Sequence, residues 1–194
     1  MLMNPHEVTL HTDRLTLRQF RQDDIDAYAA MHADPDVMRY IGEGKPLSRE
    51  DAWRSMAMMA GHWILRGYGI WAVEERASGI LVGRVGLYYP EGWPGQEVGW
   101  TLARPFWGRG YAYEAARAAF AYAFETLQWP RIISLIAPEN RRSIALAERL
   151  GERLEGEVEI RGWRTLKYGI ERPAGAGRQG AHRIATAQGD RPGS

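Results

Sequence analysis

The reading turns on residues 97–124: Glu97-Val98-Gly99-Trp100-Thr101-Leu102, then Ala103-Arg104-Pro105-Phe106-Trp107-Gly108-Arg109-Gly110, then Tyr111-Ala112-Tyr113-Glu114 and an alanine-rich run to Phe124. Val98–Leu102 reads as a short strand, and Tyr113–Leu127 as a long helix closed by Trp129-Pro130. Between them stand two glycines one residue apart. Gly108 and Gly110 let successive backbone N–H groups turn into one concavity, and the helix start adds unpaired donors and the positive end of its dipole. Such a nest suits a diphosphate. It also reads as an ordinary glycine-rich turn. A dinucleotide fingerprint would need a glycine where Tyr113 stands, and the G-x-x-x-x-G-K-[ST] loop is absent.

Downstream, the continuous apolar run Ile132-Ile133-Ser134-Leu135-Ile136 predicts a buried central strand. Ser143–Leu150 predicts a helix ended by Gly151, and Glu155–Ile160 with Arg164–Ile170 a hairpin turning near Arg161-Gly162. Upstream, Leu15–Phe20 alternates as a first strand. Ile25, Tyr28 and Met31-His32 fall at helical spacing, in a helix that Asp34-Pro35 ends. Ser48-Arg49-Glu50-Asp51 resembles a capping arrangement before Trp53, Met56, Ala60, Trp63 and Ile64, with Gly67 as the stop. Tyr68–Glu74 and Ile80–Tyr89 read as strands joined through Ala77-Ser78-Gly79, and Pro90–Gly95 as a loop. This order predicts one α/β (α+β) domain built on a single mixed sheet.

Composition bounds the function. The chain has 194 residues, 25 Lys+Arg against 24 Asp+Glu, 45% hydrophobic residues and no cysteine. That is enough to bury a core, and it excludes a disulfide framework, a thiolate nucleophile and a Cys-ligated metal. A net charge of +1 gives no sequence-independent pull toward nucleic acid or acidic membrane. The N-terminus lacks a basic segment followed by an apolar one, and the longest nearly apolar stretch, Ala112 to Phe124, falls short of the roughly 20 residues a span requires. The expected location is the cytoplasm. Residues 172–194 hold four arginines against one aspartate and a single Ile, which cannot offset the entropy of ordering. The expected organisation is a lead-in at 1–11, a domain at 12–171 and a disordered basic tail at 172–194. The tail's arginines read as solubilising, or as an arm that touches RNA. The five histidines show no H-x-H or H-E-x-x-H spacing, so no metal is proposed.

Two further features bear on chemistry. Asn140-Arg141-Arg142-Ser143 stands where the central strand hands over to the next helix, and Asn140 reads there as a helix cap. Glu97 starts the strand that feeds the glycine turn, and a lone strand-end glutamate is commonly a solvated edge residue.

Taken together over residues 11–170, the chain resembles the GNAT N-acetyltransferase superfamily, in particular its RimJ/RimL-like branch that modifies protein N-terminal amines. The resemblance rests on Thr12-Asp13-Arg14-Leu15-Thr16-Leu17-Arg18, Asp34-Pro35-Asp36-Val37, Glu97-Val98-Gly99-Trp100, Phe106-Trp107-Gly108-Arg109-Gly110-Tyr111-Ala112-Tyr113-Glu114-Ala115 and the segment Asn140 to Gly151. It implies a seven-stranded mixed sheet with about four helices. The fourth and fifth strands would splay, with acetyl-CoA pantetheine in the gap. Backbone groups near Trp100 and Leu102 would pair with the pantetheine amides. The N–H groups from Trp107 through Gly108, Arg109, Gly110 and Tyr111 to Ala112 would hold the diphosphate. Arg104, Arg109 and Arg142 are candidates for phosphate contact, and Asn140 for the pantetheine arm or the substrate.

The implied reaction is direct attack of a neutral primary amine on the thioester. An α-amine with a pKa of about 7.7–8.0 is already about a tenth neutral at pH 7, whereas a lysine costs roughly 4–5 kcal/mol to deprotonate. Glu97 is the candidate general base, and a backbone N–H near Leu102 would hold the oxyanion. Relatives often carry a tyrosine acid seven residues after the asparagine. Ala147 stands there, so the resemblance points to Ser143, one turn earlier on the same face, as donor to the sulfur. Gly151-Glu152 replaces a usual Gly-Phe, for which local exposure is the expectation. The acceptor, a peptide N-terminus or a small-molecule amine, would lie between Tyr40–Leu47 and Ile160–Trp163. The alternative is a catalytically weak, CoA-binding regulatory or scaffold module. Members of this branch are monomers or homodimers.

Overall fold

The computed structural model describes residues 8–174, so the expected tail from residue 175 onward lies outside the described residues. One sheet of eight strands organises the chain, in the order β1-β2-β3-β4-β5-β6-β8-β7. The strands are β1 (Leu10–His11), β2 (Leu15–Arg18), β3 (Ile70–Glu75), β4 (Leu81–Tyr88), β5 (Glu97–Leu102), β6 (Arg131–Ile136), β7 (Arg153–Ile160) and β8 (Trp163–Glu171). The helices are α1 (Ile25–Ala33), α2 (Pro35–Met38), α3 (Arg49–Arg66), α4 (Tyr111–Ala121) and α5 (Arg141–Leu150). The mixed α/β architecture is the expected one. The eighth strand is β1, two residues in the anticipated lead-in, too short for alternation to reveal. The extra helix is the four-residue α2, started by Pro35 with the Asp34 carboxylate accepting from the Asp36 N–H at 2.9 Å.

Local chemistry sets the boundaries. Ser48 caps α3 by accepting from the Asp51 N–H at 3.1 Å, and Gly67 ends it in the left-handed conformation. The helix expected to run to Leu127 leaves α geometry after Ala121 and widens into a π turn over Tyr122–Thr126. There Tyr122, Ala123 and Phe124 are all buried, so packing overrides the regular ladder.

Two apolar layers sandwich the sheet. On one face α4 lays Ala115, Ala116, Ala119 and Phe120 against Leu15, Leu17, Trp71, Val85, Val98 and Ile132. On the other, α1 and α3 enclose Tyr28, Met31, Ala52 and Met56 with Ala72. Arg18 is buried between these layers and clamped by Asp24 and Glu74, each at 2.8 Å. Among the described residues no helix is long and apolar enough to cross a membrane.

Strands β5 and β6 run in parallel and share a single register pair, Glu97 opposite Ile133. Beyond that pair they diverge, leaving a wedge that opens toward Leu102.

Candidate active site

The backbone of β5 has two edges. Gln96 O accepts from the Ile133 N–H (2.9 Å), Val98 O from the Ser134 hydroxyl (2.9 Å) and Leu102 O from the Trp107 indole (2.8 Å). An antiparallel strand alternates the direction of its peptide groups, so residues 98, 100 and 102 aim into the wedge while 97, 99 and 101 bond to β4. Trp100 and Leu102 therefore present main-chain groups to the wedge, with the Leu102 carbonyl already engaged by Trp107.

At the wedge mouth the chain makes a short 3-10 turn, Arg104–Phe106, and reverses into α4. The Trp107 N–H is spent on the Arg104 carbonyl at 3.1 Å, so it does not belong to the nest expected from the sequence. Gly108 (φ 75°) and Gly110 (φ 81°) take the left-handed conformation, and no side chain caps the helix. The first helical bond runs from the Glu114 N–H to Gly110 O, leaving the amides of Gly108, Arg109, Gly110, Tyr111 and Ala112 without backbone acceptors. A Cβ at Gly108 would find open space. An uncapped helix start with a run of free donors fits an anion.

A clasp from the first strands holds this loop. Glu114 accepts from the Thr12 hydroxyl (2.6 Å), the Arg14 N–H (2.9 Å) and the Arg14 guanidinium (2.7 Å), while Arg14 also donates to the Arg109 carbonyl (3.0 Å). Turning that carbonyl outward keeps the amides inward. Beside it lies a hollow of about 620 Å³ lined by Arg14, Arg109, Tyr113, Arg117 and Arg149. Arg149 lies over the Tyr113 ring at 4.0 Å, and Arg142 over Trp107 at 4.6 Å. Arg104 is not part of this group, because Asp34 pairs with it at 3.0 Å.

Across the wedge, Asn140 caps α5 by accepting from the Ser143 N–H at 3.2 Å. The Ser143 hydroxyl accepts from the Trp100 indole at 3.2 Å, which leaves its own proton free to be given away. Ala147, one turn on, is fully buried.

Glu97 is no edge residue: it stands on a central strand with 9% exposure. The Trp93 indole donates to its carboxyl at 2.6 Å. Burial, outweighing that bond, the Leu135 amide and the Arg84 charge, pushes its pKa up from 4.5 to about 7. Trp93 is the partner that sequence reading missed, since a tryptophan in a loop carries no signal of its contact. Arg161, in the turn of the last hairpin, lies over the Trp93 ring at 5.9 Å. Arg161 and Gly162 both take positive φ there, so the turn falls where expected.

Glu152 corrects the expectation of local exposure. The Schellman-type end of α5, with the Glu152 N–H donating to Ala147 O at 3.0 Å, turns its side chain inward to 3% exposure. Among the described residues neither carboxyl oxygen has a hydrogen-bond partner. Burial, aided by the charges of Glu97 and Glu155 and opposed only by the nearby Ser134, raises its pKa to about 8.

Residues 14–153 match the acetyltransferase (GNAT) domain family. The chain is a GNAT acetyltransferase. It is 31% identical over 150 residues to the uncharacterized N-acetyltransferase p20 of Bacillus licheniformis, covering 76% of this chain and 84% of that one. It is similar to the crystal structure of an acetyltransferase from Agrobacterium tumefaciens, with a TM-score of 0.76 and 34% identity over 84% of this chain and 94% of that one. RimL, an acetyltransferase of ribosomal L7/L12 solved with coenzyme A, superposes with a TM-score of 0.71 at 16% identity over 84% of this chain and 98% of RimL, which is a likeness of fold. Membership makes this GNAT acetyltransferase an acyl-CoA-dependent enzyme acting on an amine.

Proposed function

We propose that this GNAT enzyme moves the acetyl group of acetyl-CoA to a primary amine, a peptide N-terminus or a small molecule, by direct attack with Glu97 as general base. The observation that carries the reading is a carboxyl at the closed end of the wedge whose affinity for a proton is set near neutrality by burial. Glu97 accepts a proton as the amine nitrogen bonds to the thioester carbon. The carbon–sulfur bond then breaks, and coenzyme A leaves as its thiol. The Ser143 hydroxyl, with its proton free, is the candidate donor to the sulfur; it would be reprotonated from solvent, to which Glu97 returns the proton it accepted.

The diphosphate would rest on the amides from Gly108 to Ala112, in the field of Arg109, Arg117 and Arg149, the charge of Arg14 being taken up by Glu114. The pantetheine would pair with main-chain groups of Trp100 and the Leu102 N–H, and the latter is also the candidate oxyanion donor. Asn140 would serve the pantetheine arm through its amide nitrogen, its oxygen being committed to the cap.

The test is release of free CoA thiol from acetyl-CoA over a panel of primary amines. Turnover with at least one amine that Glu97→Gln slows a hundredfold or more supports the reading. Binding of CoA with no release on any amine overturns it in favour of a CoA-binding module.

A further inference from the structure

On the face of the sheet that carries Glu97, the register of β4 against β5 stacks three cross-strand pairs: Tyr88 opposite Glu97, Gly86 opposite Gly99, and Arg84 opposite Thr101. Same-face rows two residues apart lie about 7 Å from one another. The middle row has no side chain. A Cβ at Gly99 would meet only Glu97 Oε1, at 3.7 Å, whereas one at Gly86 would collide with Gly69 O at 2.6 Å and Trp71 at 2.8 Å, so the open space lies over Gly99, beside the carboxyl. The slot over Gly99 thus lies between the row that carries Glu97 and the row that carries Arg84.

Arg84 has no structural employment. Its Nε is shut off from solvent with no partner among the described residues. None of the ion pairs among the described residues includes it. Arg18, two strands away, shows what a structural arginine looks like here, with a carboxylate on each side. The side chain as a whole is half-buried, but a guanidinium N–H withdrawn from water without a partner is costly.

Its charge is felt at Glu97 and Tyr88 along the slot and at His32 of α1. His32 supplies a second buried orphan. Its Nδ1 lies 2.9 Å from the Tyr28 carbonyl, and burial with the Arg84 charge holds the ring neutral down to about pH 4, so the unpartnered Nε2 is an acceptor.

We propose that Arg84 anchors the acceptor: the preferred substrate is a small amino acid or amino-acid-like amine whose carboxylate pairs with the guanidinium while its amine stands at Glu97. A fork of N–H donors matches a carboxylate in two places, and recognition of that kind fixes both ends of a short molecule. The protein-anchored N-terminus, which has no free carboxylate close to its amine, is the less suited occupant of this slot. The proposal rests on the acetyl-transfer reading above and adds the acceptor's chemical class to it.

The experiment measures KM and kcat for L-amino acids, each paired with its own primary amide, by CoA release. It also measures inhibition by the matching acids that lack the amine. In the wild-type enzyme the free acid should have a KM at least tenfold below its amide, and the amine-free acid should compete with it. In Arg84→Gln that ratio should fall to about one and the inhibition should vanish, while Arg84→Lys keeps part of both. Equal KM values for acid and amide in the wild-type enzyme, a result that needs no variant to fold, would overturn the proposal. So would a preference that survives in Arg84→Gln, or selective use of peptide amines. Absence of CoA release with every amine is a different outcome, and it removes the acetyl-transfer reading itself.

Discussion

Replacing Glu152 by glutamine should stabilise the enzyme, and the gain should grow with pH. In the folded chain this carboxyl is 3% exposed and has no hydrogen-bond partner, so its charged form is disfavoured and its pKa rises from 4.5 to about 8. A group whose folded pKa is raised favours the folded state most at low pH. Below about pH 4.5 both states hold the proton and nothing is lost. As pH climbs from there to about 8, the unfolded state gives up its proton while the folded state keeps it, and stability falls by about 1.4 kcal/mol per pH unit. The accumulated loss is about 3 kcal/mol at pH 7 and about 4 kcal/mol at pH 8. Glutamine has nearly the same shape and does not titrate. Urea unfolding of both proteins at pH 5, 6.5 and 8 should give curves that lie within about 1 kcal/mol at pH 5 and part by about 4 kcal/mol at pH 8, with equal m values. Taking the difference removes the contribution of Glu97 apart from its coupling to Glu152. A wild-type-minus-variant difference that stays constant from pH 5 to 8 would refute the reasoning, for it would mean that water reaches the carboxyl or that a partner satisfies it.

Other expectations bear on catalysis. The rate of the wild-type enzyme should rise with pH through a limb near 7, from ionisation of Glu97, and Glu97→Gln should lose that limb along with a hundredfold or more of kcat/KM. Ser143→Ala should lower kcat by about tenfold with little change in CoA affinity, because it removes a donor without touching the amide nest; a rise in CoA Kd with unchanged kcat would assign the hydroxyl to binding instead. Gly108→Ala puts a side chain at φ 75° where there is room for it, so the cost is conformational, about 1–2 kcal/mol, and should appear as weaker CoA binding by calorimetry.

Much of this architecture is legible in the chain. Ser48, Gly67, Asn140 and Gly151 mark helix ends by local chemistry, and each sits where its turn demands. The glycine turn is legible for the same reason, since Gly108 and Gly110 announce positive φ. Contacts between distant segments are not. Nothing near Trp93 announces a bond to Glu97, nothing near Arg104 announces Asp34, and nothing near Arg14 announces Glu114 a hundred residues on. Glu152 misleads for a related reason: a charged residue after a helix-ending glycine suggests solvent, whereas the backbone reversal there dictates the inward direction of the side chain. Arg84 is invisible as a feature until the register puts Gly86 and Gly99 side by side beneath it.

The link from Arg161 through the Trp93 ring to the Glu97 carboxyl has a practical corollary. The hairpin tip and the Pro90–Gly95 loop are the segments an engineer would exchange first to retarget the enzyme. Here they are wired to the carboxyl proposed as the proton acceptor, so grafts at either place will retune its basicity together with selectivity. Redesigned variants should be assayed at several pH values before a loss of turnover is blamed on fit.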